Sequence, residues 1–126
     1  MWLDRRAFAL GTVTLAAVRA AEAESAPNMY GLIGKMLAKP GQRDALIQAI
    51  LAGTQAMPGC LSYVVATDPS NADAIWITEA WTDAAHHQAS LKLPEVQAAI
   101  AKARPLIAGF GERFETSPVG GVGLKP

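Results

Sequence analysis

Cysteine is almost missing from the 126 residues: Cys60 stands alone, which excludes an internal disulfide and a cysteine-only metal site. Histidine is scarce too. His86 and His87 are the two, and neighbours on a helix point about 100° apart, which makes them a poor clamp for a metal ion. Charged residues are only 17% of the chain, and eleven basic side chains are balanced by eleven acidic ones. Such a chain raises no broad positive field, so nucleic acid is not an expected partner. There is no phosphate loop, GxGxxG, Ser/His/Asp or zinc-ligand spacing, so hydrolase, nucleotide-binding and dehydrogenase readings have no support. The length leaves room for one domain. Apolar residues make up 51% of the chain, and most of them need somewhere to be buried.

Long hydrophobic runs are also lacking. The longest, Ala7 to Val18, reaches about 18 Å as a helix against a hydrocarbon core of roughly 30 Å, so a stable membrane span is disfavoured. It follows Arg5-Arg6 and precedes small-residue sites at Val18-Arg19-Ala20 and Ala21-Glu22-Ala23. With Phe8 and Arg19, this segment resembles a twin-arginine-type signal peptide; the competing reading is an uncleaved N-terminal anchor. Residues 1–23 are therefore expected to be a leader, 24–28 a linker, 29–117 the domain and 118–126 a Gly-rich tail. The implied location is the periplasm, reached after folding.

Within the domain, Met29 to Leu37 reads as a strand ended by Pro40-Gly41. Leu46, Ile47, Ile50, Leu51 and Met57 mark an amphipathic helix over Asp44 to Met57, stopped by Pro58-Gly59. Cys60 to Thr67 and Ala74 to Trp81 are β-branched and aromatic runs around Asp68-Pro69-Ser70-Asn71, which predicts a hairpin. Asp83 suits the cap of a short helix through Leu91, and Pro94 the first turn of another whose stripe is Val96, Ile100, Ala103 and Ile107. Phe110 to Thr116 closes the pattern as a strand. The order β-α-β-β-α-β is the α+β, ferredoxin-like arrangement, an antiparallel sheet with helices on one face.

Alternation along the hairpin gives one face of Leu61, Tyr63, Val65, Ile75, Ile77 and Trp81, and another of Cys60, Val64, Ala66, Trp76 and Ala80. Both are apolar. A solvated face would carry charges, so a partner is expected on the side that the helices leave bare, and a homodimer is the economical choice.

Lys39-Pro40-Gly41, Met57-Pro58-Gly59-Cys60, Glu79-Ala80-Trp81 and Asp83-Ala84-Ala85-His86-His87 recur in this order in a known group. On these residues the domain resembles the antibiotic biosynthesis monooxygenase superfamily, including its quinol monooxygenases, from Met29 to about Val119. The resemblance implies sheet-to-sheet dimers forming a dimeric α/β barrel. It also implies oxidation of a phenol or quinol by dioxygen without metal, flavin or nicotinamide, the deprotonated ring itself passing an electron to oxygen. Many members place a histidine about nine residues after the third-strand tryptophan, where this chain has Ser90, and haem-degrading members carry a first-strand asparagine where it has Gly34. A haem-binding variant is therefore the weakest reading, behind a non-catalytic carrier of a small hydrophobic ligand.

The residues leave their roles open. His87 is the leading candidate base, because histidine accepts protons near neutral pH, and it competes with a helix-packing role. Trp81, Tyr63, Tyr30 and Asn28 are candidates for binding an aromatic substrate, and equally for core, loop or interface positions. Glu79 shares its parity with Trp81 and is either interfacial or a pocket acid. No metal ligand is expected.

Overall fold

The computed structural model describes residues 28–124; the leader and the linker before Asn28 lie outside the described residues. Strand β1 (Tyr30–Ala38) gives way to a turn in which Gly41 takes φ 75°. Helix α1 (Arg43–Gly53) follows, burying Leu46, Ala49 and Ile50. It stops short of the Met57 that its apolar spacing predicts. The Thr54 hydroxyl donates back to the Ile50 carbonyl at 2.9 Å, an alternative to continuing the helix ladder.

Strands β2 (Cys60–Thr67) and β3 (Ala74–Trp81) form the predicted hairpin, with the predicted bounds. Asp83 caps helix α2 (Ala84–Ser90), its carboxylate accepting from the His86 backbone N–H at 2.8 Å. Helix α3 (Pro94–Ala103) opens on Pro94. A 3-10 turn, Arg104–Leu106, then leads into β4 (Ile107–Thr116). The last strand thus begins before the expected Phe110, and Ile107 belongs to it rather than to the helical stripe. Pro105, which has no N–H to donate, explains where the helix gives out.

The strands pair antiparallel in the order β2-β3-β1-β4, which is the ferredoxin-like sheet, and the helices cover one face. Two clusters hold the layers together. Ile75 and Ile77 pack with Leu46, Ile50 and Ala103, and Trp81 packs with Met57 and Val96. Helices α1 and α3 meet at Gly53, where an added Cβ would overlap the Ala99 methyl and lie 2.6 Å from the Glu95 carbonyl oxygen. No described helix is long and apolar enough to cross a membrane.

Residues opposite one another across the ladder share a face. Tyr30 with Trp81, Leu32 with Glu79, Gly34 with Ile77 and Met36 with Ile75 look toward the helices. Tyr63 joins them opposite Glu79. One parity expectation fails: a bulge between Cys60 and Ser62 sets Cys60 opposite Trp81, so Cys60 packs on the helix side.

The other face is bare. Val64 and Phe114 are each 53% exposed there. The face is not wholly apolar, however. Lys35 Nζ lies 5.6 Å from the Trp76 ring centroid and 3.8 Å from Asp68 Oδ2, which also accepts the Trp76 indole N–H at 3.0 Å.

Candidate functional site

Strand β3 carries Glu79 into the helix-covered layer two residues before Trp81. Because a strand repeats every second residue, both side chains point the same way. The Trp81 indole N–H donates to Glu79 Oε1 at 2.9 Å, and Trp81 itself is 1% exposed. Helix α2 lies just beyond, and its register turns His87 inward while His86 stays outside. His87 Nε2 is 3.9 Å from the same Glu79 oxygen. Its ring meets Trp81 edge-on at 5.5 Å and Tyr30 at 5.2 Å. His87 Nδ1 is buried without a hydrogen-bond partner.

The electrostatics follow from burial. Desolvation raises the Glu79 carboxyl above its ordinary range, while the Trp81 N–H, then the charges of His87 and Arg113, pull it partly back. The Tyr63 phenol, opposite Glu79, is also raised, by burial first and then by the Glu79 charge. Tyr30 donates its hydroxyl to Glu115 Oε2 at 2.6 Å, the main cause of its own upward shift.

Two adjoining cavities lie along this face. The smaller, about 280 Å³, is walled by Leu32, Gly34, Ile77 and Arg113, with Glu79, its side chain 12% exposed, as its largely buried carboxylate. Gly34 leaves it open, since a Cβ there would meet nothing within 4 Å. The larger, about 630 Å³, runs between α3 and the sheet past Ile50, Tyr63, Val96 and Ile100. A buried carboxylate with raised proton affinity beside an apolar cavity is suited to taking a proton from a weakly acidic hydroxyl, and a guanidinium on the same wall to holding the resulting anion.

The sequence candidates separate accordingly. His87, Trp81 and Tyr30 come together around Glu79, and Tyr63 faces the same layer. Asn28 is exposed, two residues before the strand that carries Tyr30. His86 is engaged outside, its Nδ1 2.7 Å from Asp83 Oδ1 and 3.2 Å from the Thr82 hydroxyl. Ser90 is buried, but its hydroxyl donates to the His87 carbonyl at 2.6 Å, so neither it nor Gly34 offers a haem ligand. Among the described residues, no three histidine, cysteine or carboxylate side chains converge as a metal site. Arg113 is absent from the sequence candidates. The signal for it was a lone arginine within a strand pattern, readable only once β4 is set beside Gly34.

The sequence profile of the family described as antibiotic biosynthesis monooxygenase matches residues 29–102. A crystal structure from Chloroflexus aurantiacus that bears this family's name is 64% identical, with a TM-score of 0.75 over 77% of this chain and 99% of that one. A Caulobacter crescentus structure given the same name is 17% identical, with a TM-score of 0.67 over 80% of this chain and 99% of that one. A Pseudomonas aeruginosa structure is 19% identical, with a TM-score of 0.65 over 75% and 98%. These last two show likeness of fold alone. No curated protein matches the chain. The profile spans more than half the chain, the 64% identical structure is covered almost end to end, and the sheet order is that of the resemblance read from sequence: the chain belongs to the antibiotic biosynthesis monooxygenase family.

Proposed function

We propose that the protein is a cofactor-independent monooxygenase that joins dioxygen to a quinol or related phenol. The observation that carries this is the buried Glu79 carboxylate on the wall of an apolar cavity, held by the Trp81 N–H and backed by His87. A ring hydroxyl in the cavity gives its proton to Glu79, with the His87 ring packed behind the carboxylate at 3.9 Å. Burial narrows the gap between a carboxylate and a phenol as proton acceptors, and Arg113 narrows it from the other side by favouring the phenolate.

The phenolate passes one electron to dioxygen, leaving an aryloxyl radical and superoxide. Their coupling forms a C–O bond and a peroxide, whose O–O bond breaks with loss of water. An anthrone and dioxygen thus give an anthraquinone and water; a quinol gives a hydroxyquinone and water. The protein acts as an exported homodimer in this reading, covered on its bare sheet face by a second copy.

The test is oxygen uptake by metal-free protein with a panel of reduced naphthoquinones and anthrones. Glu79→Gln is expected to lower kcat by about 10²-fold or more, since positioned proton transfer contributes about 10²–10⁴. His87→Ala should follow in the same direction, and His86→Ala should change little. Uptake no faster than in buffer across the panel, with one member bound tightly, replaces the enzyme by a ligand carrier. For export, Arg5→Lys with Arg6→Lys is expected to hold the precursor in the cytoplasm, read by fractionation of the host.

A further inference from the structure

We infer that the substrate is amphiphilic: a quinol or phenol head carrying a linear hydrophobic chain, the head against Glu79 and Arg113 and the chain in the larger cleft. This rests on the oxygenase reading above and narrows it.

The two cavities share Met36, Ile77 and Phe110 on their walls, so they adjoin at these three side chains, the throat that a chain reaching from one to the other would pass. Their chemistry is divided. Glu79 and Arg113 stand at the small end, together with Lys35 and Glu112, which pair with each other at 4.0 Å. The long end is walled by Ile50, Val96, Ile100 and Ile107. Its polar members are Thr54, whose hydroxyl already bonds the Ile50 carbonyl, the half-buried Tyr63, and Arg104 on the exposed surface.

A ring system reacting at Glu79 occupies the 280 Å³ end and leaves about 630 Å³ of largely apolar space next to it. Ligand cavities of drug-sized molecules run to about 300–1,000 Å³ and are mostly apolar with a few convergent polar groups, which describes the pair taken together and not the small end alone. A flat polycyclic ring offers no flexible part to pass the throat; an alkyl or prenyl chain does. Gly34 gives room at the head end, where a Cβ would meet nothing within 4 Å, as Gly109 does on the wall of the larger cavity.

The experiment uses the full-length protein and 2-methyl-1,4-naphthoquinone in its oxidised form, bare or bearing a prenyl, geranyl or farnesyl chain. Binding is read by quenching of tryptophan fluorescence. Because the oxidised ligands do not turn over, the result is independent of catalysis. Affinity is expected to rise by about tenfold or more from the bare head to the geranyl compound, since each buried methylene is worth up to about fourfold, and to level off once the cleft is full. Ile100→Trp, which adds bulk to the long end, should weaken the geranyl compound by about tenfold more than the bare head. Gly34→Leu should weaken all members alike.

Equal affinity for every chain length overturns the inference, as does a chain-length gain that Ile100→Trp leaves intact. The wild-type series decides the matter even where a variant fails to fold. If the gain is present but no reduced member of the series consumes oxygen, the oxygenase reading falls and the ligand class stands. If the bare head alone is oxidised and the chains add nothing, the oxygenase reading stands and the amphiphile falls.

Discussion

Two carboxylates on opposite sides of one sheet are pushed in opposite directions. Asp68, at the edge of the bare face, accepts the Ser70 hydroxyl and backbone N–H and the Trp76 indole N–H, and with Lys35 nearby its pKa falls to about 2. Glu79, under the helices, has the Trp81 N–H and loses its water, and its pKa rises. Donors in abundance make a carboxylate a fixed structural anchor, ionised at any ordinary pH. Desolvation with a single donor makes it a group able to gain and lose a proton. The two sides of one sheet thus hold carboxylates of opposite proton affinity.

The largest test of this contrast compares two tryptophans on β3. Trp81→Ala should destabilise the fold by about 3–5 kcal/mol, because it opens a cavity in the core and leaves Glu79 without its donor. Trp76→Ala, on the half-open face, should cost the isolated chain about 1 kcal/mol, mainly its bond to Asp68. Urea unfolding followed by circular dichroism reads both, and equal losses would erase the distinction between the faces.

Next in size is association. Phe114→Asp or Val64→Asp on the bare face should dissociate a homodimer while leaving the unfolding midpoint of the monomer nearly unchanged, since an unpaired charge in an apolar interface costs several kcal/mol. Light scattering that finds wild type monomeric at micromolar concentration sinks the dimer.

The smallest effect is the pH dependence of stability, and it has opposite sign on the two faces. Glu79 holds its proton more tightly folded than unfolded. Its contribution is complete below the ordinary carboxylate range and is lost as pH rises through the raised folded value. Asp68 holds its proton more weakly when folded. Its contribution is present above the ordinary range and is lost as pH falls toward about 2. Glu79→Gln should flatten the first slope and Asp68→Asn the second, in thermal melts across pH.

The fold was legible where local chemistry was strong. The hairpin needed only two β-branched runs and an Asp-Pro-Ser-Asn turn, and Asp83 announced its helix as a cap. The errors lie where a distant element decides. Helix α1 ends at Gly53, where α3 packs against its backbone, and the apolar spacing that runs on to Met57 gives no sign of this contact. Parity misplaced Cys60 because an extra residue in a strand leaves no mark in a pattern of alternation. Candidate site residues were recognisable by type: His87, Trp81 and Tyr30 do gather. The organising residue, Glu79, was ambiguous, because its burial depends on β1 and α2 closing over it.

The throat of the cleft is made partly of sulfur. Met36 lines both cavities, whereas Cys60 lines neither, and partial burial raises the proton affinity of its thiol. A reaction that generates superoxide and peroxide beside Met36 exposes its thioether to sulfoxidation, which turns an adaptable apolar side chain into a polar one. On the oxygenase reading proposed above, ageing would be counted in turnovers rather than hours, as the passage proposed for an apolar chain grew more polar with use.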